Sequence, residues 1–275
     1  MLDYIHTILA GPSGSGKSWL AATSPEPQQV ALFDSLGNAR AYFRNCRVAQ
    51  ERDVVMVGGR PSIIPTYLCY ALEDEGCTSL KRKLWAFDTS TDLGIHQFKV
   101  KWAILAEEMR SIAAKTFIFD SLTLYQTGLR VAGKAYIGSS SEDERALAYS
   151  ITDDIEALAN MLKSLPFNVI MTAHISGRIY NKSIGKGANS RVLELQDTSI
   201  NAPGRMSRNL VSMFSDVWLT YVDEEGNYLV NTNRPLDREA DSKATIVAKN
   251  TVNSPGVCAN NWQEIVRGSD PIIWL

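Results

Sequence analysis

The sequence is poor in the residues that build metal centres and disulfides. It has four cysteines and three histidines, and no two of the cysteines form a C-x-x-C pair: they are Cys46, Cys69, Cys77 and Cys258. A zinc site needs clustered cysteine or histidine, and a disulfide framework needs a denser set of cysteines. Both are therefore disfavoured, and a reducing cytoplasm is the expected setting.

Long apolar runs and a strong charge of one sign are also missing. No run approaches the roughly 18 apolar residues that mark a membrane-spanning helix, and no charged-then-apolar leader precedes the glycine cluster that begins at residue 11. The formal net charge of −2 argues against a uniformly basic coat for nucleic acid, but it leaves room for a local basic segment. We expect a folded chain that is neither secreted nor embedded in a membrane.

Short apolar runs that alternate with helical patterns predict an α/β fold, in a single domain over residues 1–275. The runs rich in β-branched residues predict buried strands, and apolar residues at three- and four-residue intervals from Leu147 to Leu165 predict an amphipathic helix. Strands are expected at 4–10, 30–34, 116–120, 168–173, 217–222, 228–232 and 244–248, and a further helix at 97–114. A hairpin should join 217–222 to 228–232.

Two stretches are harder to assign. Within 53–100, residues 54–57 and 84–87 look like strands, with a possible helix between them, so this region is interpreted as a possible inserted or elaborated segment. Residues 177–208 form a polar segment with few helix or strand signals, which predicts a long loop. Loops of this length are usually functional or disordered.

A phosphate-binding motif follows the first predicted strand. It satisfies G-x-x-x-x-G-K-[ST] in full, with the residues Gly11, Pro12, Ser13, Gly14, Ser15, Gly16, Lys17 and Ser18. Glycines let backbone N–H groups surround phosphate oxygens at the start of a helix, Lys17 would reach the β- and γ-phosphates, and Ser18 would bind Mg²⁺. The alternative is a chance glycine-rich turn. We favour a site for ATP and Mg²⁺, because strand and helix flank the motif.

Asp120 is the expected second carboxylate of that site. It ends the apolar run 116–119, and ligands of α/β sheets bind at the carboxyl ends of strands. It would hold Mg²⁺ through water, although an aspartate at this place could also cap the next turn. Asp34 ends its own strand in the same way, and for Asp34 a cap or structural hydrogen bond is an equally good interpretation.

In the order of these motifs, the chain resembles the RecA-like recombinase ATPases, and among them the small phage-encoded ATPases of single-strand recombination and annealing. The segments that carry the resemblance are 11–18, 30–34, 116–122, 168–174, 202–214 and Lys249-Asn250-Thr251. The resemblance implies a mainly parallel central sheet flanked by helices, with a C-terminal antiparallel extension. It also implies ATP hydrolysis, a ring or filament of identical subunits on single-stranded DNA, and the host cytoplasm if the chain is phage-encoded.

The resemblance further assigns residues 127–146 and 177–208 to two loops that face single-stranded DNA. The second stretch has six arginines and lysines against two carboxylates, and it contains Tyr180, a composition that suits backbone tracking and base stacking. The candidate DNA contacts are Arg178, Lys182, Lys186 and Arg191, with Arg205 and Arg208 nearby. The alternative is a solvated surface loop.

Three further residues take catalytic or signalling roles under this resemblance. His174 would sense the γ-phosphate, unless it is an ordinary strand-end histidine, and Thr172 is the alternative sensor. Lys249 would reach the nucleotide of a neighbouring subunit.

The chain also departs from the family at two positions. Leu36 stands where the family has the glutamate that orients water, so hydrolysis is less firmly expected than binding, unless Asp34, Asp88 or Glu108 substitutes. Thr251 replaces the second lysine of the late pair.

Two other classes of P-loop protein compete with this interpretation. A motor or assembly ATPase, such as a packaging ATPase, would act on duplex DNA or a protein and would share the phosphate loop. A small-molecule kinase would share it as well, but the sequence has no arginine-rich lid after the predicted helix, and Lys249 has no evident use in such an enzyme.

Overall fold

The computed structural model describes residues 4–24, 28–33, 43–44, 46–73, 76, 79–111, 115–134, 136–137, 140–184, 191–203, 205–232 and 257–266. For residues 28–33, 106, 109–111, 141, 178–184 and 191–198 it describes the backbone alone. The predicted strand at 244–248 lies outside the described residues, as do Asp34, Leu36, Lys186, Lys249, Asn250 and Thr251.

The described chain is a mixed α/β structure. Its strands are β1 (His6–Gly11), β2 (Gln28–Phe33), β3 (Cys46–Val57), β4 (Arg60–Ala71), β5 (Leu80–Phe87), β6 (Thr116–Asp120), β7 (Asn168–Ile184), β8 (Arg191–Ile200), β9 (Asp216–Val222), β10 (Tyr228–Asn231) and β11 (Val257–Ala259). Its helices are α1 (Lys17–Ala22), α2 (Asp92–Ser111), α3 (Leu122–Lys134), α4 (Ser141–Lys163), α5 (Met206–Met213) and α6 (Trp262–Val266). No helix among the described residues has both the length and the apolar composition to cross a bilayer.

Ten of the described strands form one mixed sheet in the order β11-β10-β9-β1-β7-β6-β2-β5-β4-β3, and β8 pairs with β7 off this path. The six strands from β9 to β5 run parallel to one another. Antiparallel pairs extend the sheet at both edges, through β3 and β4 on one side and β10 and β11 on the other. The expected hairpin between 217–222 and 228–232 is confirmed as the β9–β10 pair.

Helices cover both faces of the parallel strands, because alternate side chains of a strand point to opposite faces. Phe117 and Phe119 of β6 pack in one apolar cluster with α2, α3 and α4, whereas Ile118 packs in a second cluster with Leu20 of α1 and Trp262 of α6. All five of these side chains are at most 1% exposed. β6 is therefore buried on both faces, which is consistent with its continuous apolar sequence.

The possible helix between the strands at 54–57 and 84–87 is wrong. Residues 60–71 instead form β4, which pairs with β3 in a long hairpin around Gly58 and Gly59, whose φ values are 57° and 78°. Two glycines with positive φ suit the tight turn that joins twisted strands. Pro61 and Pro65 lack the N–H that a helix interior requires, and they are tolerated here at positions of an antiparallel ladder near the sheet edge.

The two predicted DNA-facing loops are also different in the structure. Most of 127–146 is helical, since α3 runs to Lys134 and α4 begins at Ser141. A capping box between Ser140 and Asp143 fixes the start of α4, six residues before the predicted periodicity begins. In the second stretch, β7 continues to Ile184 and pairs antiparallel with β8, so the described parts of 177–208 form a two-stranded ribbon and then α5.

Candidate nucleotide-binding site

The phosphate loop joins β1 to α1 at the carboxyl end of the central parallel strands. Gly14 and Gly16 have φ values of 77° and 85°, a left-handed conformation that residues with a Cβ rarely adopt. Ser15 is buried, and its hydroxyl lies 2.6 Å from the Thr220 hydroxyl of β9 and donates to the Pro12 carbonyl at 2.9 Å. The loop is therefore held against β9 in a turn that leads directly into the N-terminus of α1.

Lys17 is folded back onto the loop that precedes it. Its Nζ donates to the carbonyl oxygens of Gly11 at 3.0 Å and Pro12 at 2.6 Å, and the residue is 7% exposed. Burial lowers the pKa of Lys17 to about 8, although the nearby Asp120 carboxylate acts in the opposite direction. The ammonium is thus charged at neutral pH, and a phosphate can replace the two carbonyl contacts.

The Asp120 carboxylate accepts hydrogen bonds from two hydroxyl groups on different elements. The Ser18 hydroxyl donates to its Oδ2 at 2.5 Å, and the Thr172 hydroxyl of β7 donates to its Oδ1. The carboxylate is 6% exposed and lies at the end of β6, as the sequence predicts. Thr172 is therefore a positioning contact of Asp120.

The oxygen ligands of Ser18 and Asp120 fit a hard cation such as Mg²⁺, which prefers hydroxyl, carboxylate, water and phosphate oxygens. Within the described residues, no group of three or more His, Cys, Asp or Glu side chains is placed to hold a metal ion. A divalent cation at Ser18 and Asp120 would consequently take its remaining ligands from water and from the phosphates of a bound nucleotide. This is the pattern expected of a cation that arrives with its nucleotide.

His174 lies on the same cavity, at the point where β7 passes the site. Its backbone N–H donates to the Thr123 hydroxyl at 3.0 Å. Burial lowers the pKa of His174 below its ordinary value, and the charge of Lys17 adds to this effect, while Asp120 opposes it. The imidazole is therefore neutral at pH 7 and can act as a polar hydrogen-bonding group beside the site.

The cavity has a volume of about 750 Å³ and opens over the phosphate loop. The sequence identifies much of its lining, in particular Lys17, Ser18, Asp120 and His174. The residues that it misses are Trp19, Arg44, Ser121, Leu124, Tyr228 and Asn260. Trp19 and Ser121 directly follow a motif residue, and Leu124 lies one turn further along α3. The fold brings in Arg44, Tyr228 and Asn260 from distant segments.

The C-terminal segment 257–266 is hydrogen-bonded to the phosphate loop and to the end of α1. The Asn260 Nδ2 donates to the Gly16 carbonyl at 3.0 Å, and the Trp262 backbone N–H donates to the Thr23 hydroxyl at 2.9 Å. The Trp262 ring packs against Trp218 of β9, with 5.3 Å between centroids. This segment therefore forms one wall of the cavity and braces the turn at Gly16.

Two of the carboxylates considered as substitutes for the missing glutamate are engaged elsewhere. Asp88 accepts hydrogen bonds from the backbone N–H and hydroxyl of Ser90, at 2.9 and 2.6 Å, and Glu108 pairs with Lys101. Neither is among the described residues that line the cavity. Their role in activating water stays a prediction that these contacts do not support, and Asp34 lies outside the described residues.

Three of the four predicted DNA contacts, Arg178, Lys182 and Arg191, belong to the backbone of the ribbon, and Lys186 lies outside the described residues. Arg178 and Lys182 belong to β7, where they pair with Asp197 and Leu193, and Arg191 of β8 pairs with Ile184. Since a strand advances about 3.3 Å per residue, Arg178 lies roughly 13 Å along β7 from His174. The ribbon is thus a direct continuation of the strand that borders the candidate site.

The sequence matches no model of a known protein family. A search of curated proteins likewise gives no match.

Proposed function

We propose that this protein is a RecA-like P-loop ATPase of DNA recombination or single-strand annealing, which binds Mg-ATP and assembles on single-stranded DNA. The observation that carries the nucleotide part is the meeting of three groups at one cavity. They are the Lys17 ammonium, the Ser18 hydroxyl, and the Asp120 carboxylate that accepts from Ser18. No local sequence pattern requires residues 102 positions apart to make this contact.

In this proposal the chain's own groups bind and orient the triphosphate. Backbone N–H groups of the loop and of the first turn of α1 point toward the phosphates, and the helix N-terminus adds partial positive charge. Lys17 exchanges its contacts with the Gly11 and Pro12 carbonyls for phosphate oxygens. Ser18 and Asp120 would hold the Mg²⁺, which neutralises phosphate charge when it is bound.

The sheet order supports the RecA-like assignment. In the sequence β9-β1-β7-β6-β2, the strand of the phosphate loop lies between β9 and β7, and β7 separates it from the strand of Asp120. This arrangement leaves a crevice at the carboxyl ends of parallel strands, where α/β sheets bind ligands. Thr172 and His174 lie on the intervening strand, where a residue that responds to the γ-phosphate would be needed.

Two observations argue against rapid hydrolysis. Leu36 cannot accept a proton from water, and Asp88 and Glu108 are held in other contacts. We therefore expect slow turnover, with nucleotide binding rather than chemistry setting the DNA-competent state. Lys249, acting from a neighbouring subunit, would supply further positive charge at the phosphates.

The DNA part of the proposal depends on the ribbon of 175–184 and 191–200. Its backbone carries Arg178, Lys182 and Arg191 on two paired strands. A ribbon of this kind can follow a phosphate backbone, and basic residues on it would give salt-sensitive binding without strong sequence preference. Because β7 also borders the nucleotide, an ordered nucleotide site would order the base of the ribbon.

A mobility shift of a labelled single-stranded oligonucleotide tests the whole proposal. We expect a shift with Mg-ATP that weakens with salt, larger particles in mass photometry, and loss of both in Lys17→Ala. Absence of a shift at low salt would refute the DNA assignment. Turnover stimulated by duplex DNA, without preference for single strands, would favour a motor or packaging ATPase.

A further inference from the structure

A second cation lies at the rim of the candidate site, outside any motif. Arg44 lines the same cavity as Lys17 and Ser18, and its guanidinium carbon lies 4.8 Å from the ring centroid of Trp19. Trp19 follows Ser18 directly on α1 and is 37% exposed. The arginine is therefore placed over a residue of the phosphate-binding helix, although the two are far apart in sequence.

The position of Arg44 is fixed by its neighbour. Phe43 packs against Tyr67 of β4, with 5.4 Å between ring centroids, and Tyr67 is 8% exposed. This contact anchors the backbone, while the Arg44 side chain stays exposed. Within the described part of the chain, no carboxylate lies within salt-bridge distance of Arg44, and its guanidinium packs over the indole ring of Trp19.

The charges around the cavity favour an anion with several negative groups. Among the described residues that line it, Lys17 and Arg44 are cationic and Asp120 is the sole carboxylate, while His174 is neutral at pH 7. A guanidinium presents a planar fork of donors that matches phosphate oxygens. A charge-assisted hydrogen bond from a guanidinium to phosphate is stronger than an exposed cation–π contact. Transfer of the Arg44 guanidinium from the Trp19 ring to a phosphate oxygen is therefore favourable.

We propose that Arg44 is a second phosphate-binding residue, held over Trp19 in the free protein and transferred to the phosphate chain of the bound nucleotide. The inference rests on the proposed nucleotide site and extends it. Under it, the site binds the triphosphate with two cations of one chain, Lys17 from the loop and Arg44 from beside Trp19. Its affinity would then depend on a residue that no phosphate-loop motif contains.

Calorimetric titration with two probes, Mg-ATP and inorganic tripolyphosphate with Mg²⁺, tests this assignment. We expect Arg44→Ala to weaken both about tenfold, which is the loss of one charge-assisted contact. Arg44→Lys should recover part of the affinity, because it keeps the charge and loses the fork. Arg60→Ala, which removes an exposed arginine at the β3–β4 turn, is the matched control and should bind both probes like the wild type.

The possible failures are distinguishable. Unchanged affinity of Arg44→Ala for both probes, with binding abolished by Lys17→Ala, would overturn the role of Arg44 and leave the nucleotide site standing. Weaker binding of Mg-ATP with unchanged binding of tripolyphosphate would also overturn it, since Arg44 would then contact the nucleoside. No binding of either probe by the wild type would refute the proposed function itself. Circular dichroism melting of each variant separates these results from unfolding, and Arg44→Lys supplies the test if Arg44→Ala is unstable.

Discussion

Under the proposed function, the charge state of Lys17 would link nucleotide affinity to pH, at the scale of a single residue. Burial lowers the pKa of this amine to about 8, so the free protein loses the charge as pH rises through that value. A bound phosphate favours the protonated amine, and binding above pH 8 must therefore take up a proton.

We expect the affinity for Mg-ATP to fall between about pH 7.5 and 9, by roughly two- to tenfold, because at most one proton is linked to binding. The terminal phosphate is already ionised over this range, since its pKa is about 6. Calorimetry in buffers of different ionisation enthalpy measures both the affinity and the proton uptake. The arginine of the Lys17→Arg variant stays charged over this range, so the affinity of that variant for Mg-ATP should not vary with pH. A wild-type affinity that is also independent of pH would contradict the prediction.

At the scale of the secondary-structure elements, a hydrogen bond joins the C-terminal segment 257–266 to the phosphate loop. Asn260 donates to the Gly16 carbonyl, and a side chain at Gly16 would collide with the same amide. We expect Asn260→Ala to weaken Mg-ATP binding about two- to tenfold, the value of one lost hydrogen bond in a partly buried site. Hydrogen exchange at residues 11–18 should rise in parallel. The control Asn160→Ala alters an exposed residue of α4 and should change neither quantity.

The long β3–β4 hairpin is tied to α2 by a buried ammonium group. Lys101 is 3% exposed and pairs with Asp53 of β3 at 3.0 Å and with Glu108. Burial acts to raise the pKa of Asp53, but hydrogen bonds from Lys101 and Trp85 outweigh it and hold that pKa below its ordinary value. Removal of Lys101 would leave two carboxylates without their shared cation.

We expect Lys101→Met to lower the free energy of unfolding by about 2 kcal/mol or more, since breaking a buried ion pair leaves uncompensated charge. Lys99 offers a matched control on the same helix, because it pairs with Asp154 while 45% of its side chain is exposed. Lys99→Met should change stability by less than about 1 kcal/mol. Urea denaturation at pH 7 measures both. If both variants lowered the free energy of unfolding equally, the ion pairs of Lys101 would stabilise the protein no more than the exposed Lys99–Asp154 pair.

The elements that the sequence predicts are those whose cause is local. The phosphate loop, β1, β6 and the start of β7 are continuous apolar runs or a complete motif, so their residues alone specify them. β4 was missed because Pro61 and Pro65 interrupt its apolar sequence, and the ribbon was missed because polar residues interrupt the apolar ones along 177–200. Arg44, Tyr228 and Asn260 were missed because long-range packing, rather than any neighbouring residue, brings them to the cavity.

At the scale of the whole molecule, β7 connects the candidate site to the ribbon without a break. Thr172 donates to Asp120, His174 lines the cavity, and the pairing with β8 begins one residue later at Ile175. A change at the phosphates can therefore displace a strand that also carries Arg178. The proposal predicts that nucleotide strengthens DNA binding, and by linkage that DNA strengthens nucleotide binding by the same factor.

Removal of the ribbon tests nucleotide binding and DNA binding separately. Replacement of residues 179–196 by Asn-Gly keeps the Arg178–Asp197 pair and closes it with a tight turn that suits antiparallel strands. We expect this variant to bind Mg-ATP with wild-type affinity, because Thr172 and His174 are retained, and to lose the shift of single-stranded oligonucleotide. It should also lose the increase in nucleotide affinity that DNA causes in the wild type. Undiminished DNA binding would place the DNA contacts elsewhere on the protein, whereas loss of Mg-ATP binding would show that the ribbon supports the nucleotide site.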